Sequence, residues 1–352
     1  MPYLRYFPSC HCYADVLCSN IETLSQCPQN VVERYCSGAS HMKRLFLLMA
    51  LFAVVTLPIL SLRAQEKTFV IGAIPDQDPE KLARLYGLLA DYLTAELGVK
   101  VEYRPVQDYA ASVTAFKVGD LQMVWFGGLT GTQARLQVEG AQAILQRDID
   151  AQFQTVFIAN KDSGIQPFED VSGLTVLKGR AFTFGSESST SGRLMPQYFL
   201  SQAGVKLTDF DGEVGFSGSH DATIKVVDAG TFDAGALNAQ VWKARVESGA
   251  VNLENVYVIW TTPPYFDYHW VIRPDVETLF GTGFTQKVID AFTKLDPAVE
   301  RHKAILDLFG AKAFIPTKNE NYAQIEAVAR EVGLIKDSEA TPAPTAEATP
   351  GK

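Results

Sequence analysis

One passage of this chain is written twice. Val113–Ala134 reads as a helix, Gly119, a strand over Leu121–Phe126, Gly127-Gly128 and a polar helix. Thr223–Arg245 reads as a helix, Gly230, a strand over Phe232–Leu237, Asn238 and a helix containing Trp242. The junctions match in detail, Gly119-Asp120-Leu121 beside Gly230-Thr231-Phe232. Strands that alternate with helices build α/β layers, with the sheet mostly parallel. Two such units predict two similar lobes, each presenting a small or polar residue at a strand's carboxyl end, where open α/β sheets bind their ligands. Helix–glycine–strand is common in α/β folds, so the echo needs support from the rest of the chain.

That support comes from the flanking segments. Lys67–Ile74 reads as a strand ended by Pro75-Asp76, and Glu80–Leu97 carries Leu82, Leu85, Leu89 and Leu93 at helical spacing before Gly98 stops it. Val99–Tyr103 is a second strand and Asp108–Val118 a second helix. Gln154–Asn160 is a strand leaving the first unit, and Tyr257–Trp260 leads through Thr261-Thr262-Pro263-Pro264 to a strand over Tyr268–Ile272. Two crossings between two lobes make a hinged cleft, and closure is the motion it supports. The expected division is residues 65–157 plus 266–336 for one lobe and 158–265 for the other.

The ends of the chain read differently. Met42-Lys43-Arg44, the apolar run Leu45–Leu60 and Leu62-Arg63-Ala64 have the layout of a secretory signal peptide over 42–64, cleaved near Ala64. Pro58 and the shortness of the run favour cleavage over a retained anchor. Residues 1–41 then precede an export signal, and translation is expected to start at Met42. All five cysteines lie in that upstream stretch, so the exported chain is expected to have no disulfide, thiol nucleophile or lipid-anchored cysteine. Residues 337–352, rich in Ala, Thr and Pro, read as a disordered tail. The full chain carries a net charge of −9, which leaves no electrostatic footprint for nucleic acid. An anion bound here has to be held by local donors.

Such donors cluster in one place. Ala181, Phe182 and Phe184 alternate into Ser188-Ser189-Thr190-Ser191-Gly192, and a helix-like segment follows. A strand that breaks into hydroxyls and then opens a helix aims N–H groups, hydroxyls and the positive end of the helix dipole at one spot. The alternative is a helix cap over a solvated turn. Pro196 lies too deep in a helix capped at Ser189 to be neutral, so a kink or a restarted helix is expected. His220, after Gly218-Ser219, opens a helix over Asp221–Val227; it can donate to an anion that helps keep it protonated, or be a solvated capping residue. The run Pro264–Trp270 is mostly packing, with one polar member facing the cleft. Trp125, at a strand's end, reads as core before pocket wall.

Catalytic patterns are thin. Gly215-Phe216-Ser217-Gly218-Ser219 is not a nucleophile elbow, and there is no Walker loop or zincin helix. No cofactor and no metal site is expected. A triad of Ser189, His220 and Asp267 is the enzymatic alternative, a secreted hydrolase.

These features together resemble the PhnD-like phosphate, phosphite and phosphonate binding proteins of ABC importers, over about Lys67–Ile335. The matching residues are Asp108-Tyr109-Ala110, Gly119-Asp120-Leu121-x-x-x-Trp125-Phe126-Gly127, Ser189-Thr190-Ser191-Gly192, Gly218-Ser219-His220-Asp221-Ala222 and Asp233-Ala234-Gly235-Ala236. The resemblance implies a type II periplasmic binding fold of two α/β lobes and a two-segment hinge. It implies a monomer that captures a small oxyanion and delivers it to a membrane permease, a membrane sensor being the alternative recipient. By the same resemblance Ser189, Thr190 and Ser191 hold the oxyanion. His220 donates from the same lobe and Tyr109 from the other; Asp267 lies near the ligand and Trp125 belongs to the site. Asn238 stands where a carboxylate meets an aminoalkyl group and Phe153 near an expected tyrosine, which argues against an aminoalkylphosphonate. The opening Ile74-Pro75-Asp76-Gln77-Asp78-Pro79 resembles a subgroup of selenate binders. Asp267 is the arbiter: a carboxylate facing the ligand favours a proton-bearing phosphite or phosphate, whereas one paired with a neighbour at the hinge leaves selenate open.

Overall fold

The computed structural model of the chain describes residues 67–336. The expectations for 1–41, for the signal segment 42–64 and for the tail 337–352 lie outside the described residues.

Strand β1 (Phe69–Ala73) is buried along its whole length and leads to helix α1 (Pro79–Leu97). Asp78 caps α1, its Oδ1 accepting from the amides of Glu80 and Lys81 at 3.0 and 3.1 Å, and Gly98 ends it at φ 68°. Strand β2 (Val101–Tyr103), α2 (Tyr109–Val118), β3 (Met123–Phe126), α3 (Gly128–Gln137) and β4 (Gln142–Arg147) follow. The chain then crosses into β5 (Thr155–Asn160), β6 (Phe182–Phe184), α4 (Met195–Gln202), β7 (Gly215–Phe216), α5 (His220–Asp228), β8 (Ala234–Asn238), α6 (Ala239–Glu247) and β9 (Val256–Thr261). It returns through β10 (His269–Ile272), α7 (Val276–Phe280), α8 (Phe284–Thr293), α9 (Glu300–Phe309), β11 (Phe314–Pro316) and α10 (Ala323–Glu331).

Two sheets result, ordered β11-β4-β10-β3-β1-β2 and β7-β6-β8-β5-β9. The echoed strands β3 and β8 take equivalent places, each between a parallel strand (β1 or β6) and an antiparallel one (β10 or β5). The mostly parallel sheets expected from the sequence are in fact mixed. The crossings account for most of this, since β5 and β10 each enter a sheet from the other lobe and run against its strands; β11 also pairs antiparallel with β4. In β5, Phe157 and Ala159 pack into one cluster with Phe182 and Trp260, while Val156 and Ile158 pack into another with Ile224 and Leu237. Alternate residues thus serve the two covered faces of one buried strand.

The first crossing runs over residues 148–154, so β5 lies wholly in the second sheet and the boundary expected at 157/158 falls inside a strand. A strand with apolar residues on both faces gives no sign of which sheet it joins. The second crossing occupies 262–268. The two are tied to each other: Phe153 and Tyr265 exchange backbone hydrogen bonds at 2.9 Å, and Thr262 N donates to Thr155 O at 3.0 Å.

Before α4 the chain makes a π-helical turn, Thr190–Leu194, and Pro196 occupies the first turn of the restarted α-helix. In a continued helix its amide would have bonded the carbonyl of Ser191 or Gly192. It has none, and both carbonyls accept bonds from outside the helix: Thr155 Oγ1 donates to Ser191 O at 2.8 Å and Gly185 N to Gly192 O at 2.8 Å.

Candidate functional site

Ser189 caps the π-turn, its Oγ accepting from Gly192 N at 2.9 Å. The amides of Thr190 and Ser191, first in the turn, have no carbonyl one turn back to bond, and they lie at the positive end of the following helix. Ser189, Thr190 and Ser191 are all buried. Thr190 reaches the other sheet: its Oγ1 accepts from Leu129 N, at the start of α3, at 2.9 Å. Beside it Asp267 Oδ1 accepts from Gly128 N at 2.8 Å, and the Thr190 hydroxyl lies against the same carboxyl. Gly127 fits between them because it has no Cβ, which would come within 3.0 Å of Thr190 Oγ1 and 3.2 Å of Asp267 Oδ1.

Among the buried polar atoms around this turn that have no partner are the Tyr109 hydroxyl and Asp267 Oδ2. Tyr109 is the first residue of α2, held there by the Asp108 cap. Its hydroxyl is close to Ser189 and Asp267 but makes no well-formed hydrogen bond with either. Unpaired buried groups cost about 1–3 kcal/mol each, so a pair at one spot points to a ligand that completes them. Burial pushes the Asp267 carboxyl up to about 7, against the lowering effect of the Gly128 amide and the Thr190 hydroxyl.

A second polar group adjoins the first. His220 opens α5 but is fully buried, so it is not a solvated cap; Ser219 Oγ caps the helix instead. Burial pushes the imidazole down to about 4, so it is neutral in the unliganded protein rather than a cation. Its Nδ1 accepts from Asn238 N at 3.4 Å, which leaves the proton on Nε2, 3.3 Å from the Tyr268 hydroxyl. Asn238 Nδ2 donates to the same hydroxyl at 3.2 Å, and Tyr268 in turn donates to Asp76 Oδ2 at 2.8 Å. Asp76 is itself buried, and that burial raises its pKa. Backbone contacts close the same seam, with His220 N donating to Asp76 O at 3.1 Å and Asp78 N to Asp221 Oδ2 at 3.0 Å.

Comparison with known proteins decides the class. A family model for ABC transporter phosphonate periplasmic substrate-binding proteins matches residues 71–322. The chain belongs to this family. It is 47% identical over 287 residues to the probable ABC transporter phosphite binding protein PhnD1 of Prochlorococcus marinus, covering 81% of this chain and 96% of that protein. The solved structure of that PhnD1 with methylphosphonate superposes with a TM-score of 0.75 at 48% identity, over 77% of this chain and all of that one. The Phosphonates-binding periplasmic protein of Escherichia coli is 27% identical over 78% of each chain. The two mixed sheets and double crossing are those of a type II periplasmic binding protein.

As a periplasmic binding protein of this family, the chain is the solute-capturing component of an ABC transporter. Its expected ligand residues fall into three places. Ser189, Thr190, Ser191, Tyr109 and Asp267 converge on the π-turn. His220 and Asn238 meet at Tyr268. Trp125 is elsewhere, stacked on the Tyr268 ring with centroids 5.7 Å apart and lining a neighbouring cleft of about 240 Å³. The triad alternative is not assembled: His220 faces Asn238 and Tyr268, while Asp267 binds Gly128 N and lies against Thr190.

Sequence reasoning missed Asp76 and Tyr268 as site residues, and missed the Gly128 and Leu129 amides. Asp76 carried a usable signal, since it follows the carboxyl end of β1, where α/β sheets present binding groups. Tyr268 was hidden in an aromatic run. Arg147 was missed too: its guanidinium lies 5.1 Å from the Tyr268 ring, makes a buried ion pair with Asp150, and donates to Phe309 O.

Proposed function

We propose that this protein captures phosphite or methylphosphonate at the π-turn. The Thr190 and Ser191 amides and the Ser189 hydroxyl bind the anion's oxygens, Tyr109 donates from the facing lobe, and Asp267 takes up the ligand's proton. The observation that carries this reading is the unpaired Asp267 Oδ2 beside the unpaired Tyr109 hydroxyl. Asp267 pairs with an amide through one oxygen and leaves the other buried without a hydrogen-bond partner. When Asp267 is ionised, a hydroxyl-bearing phosphorus oxyanion donates to that oxygen, whereas selenate and sulfate, which carry no proton at neutral pH, meet it as a second acceptor. The relatives support the same class, one named for phosphite and solved with methylphosphonate. Asn238 has a neutral side chain, and its Oδ1 is occupied as the cap of α6, accepting from the amides of Gln240 and Val241, so it offers neither an anion nor a free acceptor oxygen to an ammonium group.

The lobes close on the ligand about the paired crossings, and the loaded monomer passes it to the permease. Export follows from the 42–64 segment, with cleavage near Ala64, which N-terminal sequencing of the secreted chain tests. The ligand is tested by calorimetric titration of the purified protein with phosphite, methylphosphonate, phosphate, sulfate and selenate. Tight binding is expected for the first two, and failure of all five defeats the reading.

A further inference from the structure

Tyr268 belongs to two groups of side chains. Its hydroxyl faces His220, and the buried Tyr109 and Asp267 are within electrostatic reach of it. It also lines the cleft of about 240 Å³, together with Asp76, Trp125 and Asn238. None of Ser189, Thr190, Ser191, Tyr109 or Asp267 lines that cleft. The ring is fixed by Trp125 stacked on it at 5.7 Å and by Phe153 tilted against it at 5.3 Å. The hydroxyl is fixed chiefly by Asp76, whose 2.8 Å contact is shorter than those to Asn238 and His220 at 3.2 and 3.3 Å. Anion capture as described leaves the Asp76 carboxyl without a role, although a buried carboxylate is costly to keep.

We propose that Asp76 sets the size of the ligand: by holding the Tyr268 hydroxyl it shuts the anion compartment off from the cleft, so that hydrogen or methyl fits on phosphorus and longer alkyl chains do not. Asp76 is a positioning residue, acting through Tyr268 without touching the ligand. An ethyl or propyl group has to push the Tyr268 hydroxyl aside. That breaks the hydrogen bond to Asp76 and leaves a buried acceptor unpaired, while the room such a chain needs lies just beyond. The backbone of Asp76 also accepts from His220 N across the lobes, so the barrier is set when the lobes are shut.

The inference rests on the ligand reading above, and a substituent series separates the two. Affinities for phosphite, methyl-, ethyl- and propylphosphonate are measured by calorimetry on the wild type, Asp76→Ala, Asp76→Asn and Tyr268→Phe. In the wild type, propylphosphonate is expected to bind at least about a hundredfold more weakly than methylphosphonate. Asp76→Ala shrinks that ratio by about tenfold or more, and Tyr268→Phe, which loses the same bond from its other end, shrinks it likewise. Asp76→Asn keeps an acceptor for the hydroxyl and keeps the wild-type ratio. Should Asp76→Ala not fold, the Phe and Asn variants carry the comparison. An unchanged ratio in Tyr268→Phe and in any folded Asp76→Ala overturns the proposal, as does an Asn variant that loses the ratio. A wild type that binds none of the four overturns the ligand reading instead.

Discussion

Thr155 Oγ1 and the Ser191 carbonyl are joined by a 2.8 Å hydrogen bond that Pro196 makes necessary. The proline removes the amide that a continued π-turn would supply, and a hydroxyl from the first residue of β5 substitutes for it. The same oxygen meets the Tyr265 hydroxyl at 2.6 Å, so one threonine ties the π-turn to both crossings between the lobes. Thr155→Val, equal in shape, leaves the Ser191 carbonyl without its donor, while the Tyr265 hydroxyl keeps the Ser191 side chain as a partner. It should cost about 1–3 kcal/mol for the stranded carbonyl. Thermal unfolding of Thr155→Val and Thr155→Ser checks this: Val should melt lower and Ser near the wild type, and equal melting of Val and wild type would count against it.

Asp267 gives the unliganded protein a pH dependence of known sign. Burial raises its folded-state pKa to about 7 from an ordinary value of 3.8, so the folded state favours the protonated form. The stability from this group is present below about pH 4 and is lost as pH rises toward 7, levelling above it. Asp267→Asn keeps an acceptor for Gly128 N and does not titrate. The melting temperature of the variant minus that of the wild type should therefore climb from pH 5 to pH 8. A flat or falling difference contradicts the assignment.

Gly127→Ala tests the seat shared by Thr190 and Asp267. The added methyl meets both side chains across the two lobes, at 3.0 and 3.2 Å. Overpacking of this kind costs about 1–3 kcal/mol, and the lobes can relieve it by staying apart. The expected result is methylphosphonate affinity reduced by about tenfold or more, with a melting temperature close to wild type. Solution scattering should show a more open unliganded particle; wild-type affinity would refute the seat.

Arg193 poses the opposite case. It lies in the π-turn, with Nε and Nη1 buried and unpartnered, its guanidinium 4.4 Å from the Phe184 ring centroid and 5.0 Å from that of Phe216. Burial pushes its pKa down to about 10. Replacing a buried, unpaired charge by an apolar side chain of similar length is often neutral or stabilising. Arg193→Met should accordingly unfold at the same temperature as wild type or above it, and a clear drop in a melting curve would show that the guanidinium supports the fold.

Much of this was legible in the residues. The echo around Gly119 and Gly230 marked the two units that become β3 and β8, and the hydroxyl run at Ser189 marked the turn, because both are local patterns. Pro196 announced the restarted helix through its missing amide. What could not be read was long-range. The direction of β5 depends on which lobe it enters, and nothing in Gln154–Asn160 encodes that. Asp76 and Tyr268 are far apart in the chain, and neither residue type alone signals a buried hydroxyl–carboxylate pair. His220 is neutral because of what surrounds it, which its position at a helix start does not reveal.

The paired crossings carry a mechanical consequence. Phe153 and Tyr265 form the fulcrum, and Asp267 is joined to it through its own amide, which donates to Asp150 O at 3.1 Å. The Asp78–Asp221 contact is part of the rim. In any rotation the displacement of a point grows with its distance from the axis, so the rim sweeps while the carboxylate hardly stirs. On the proposed ligand reading, Asp267 would then serve as a fixed gauge: an incoming anion would be measured for its proton at a stationary point, and the outcome amplified at the mouth of the molecule, the part another protein can feel.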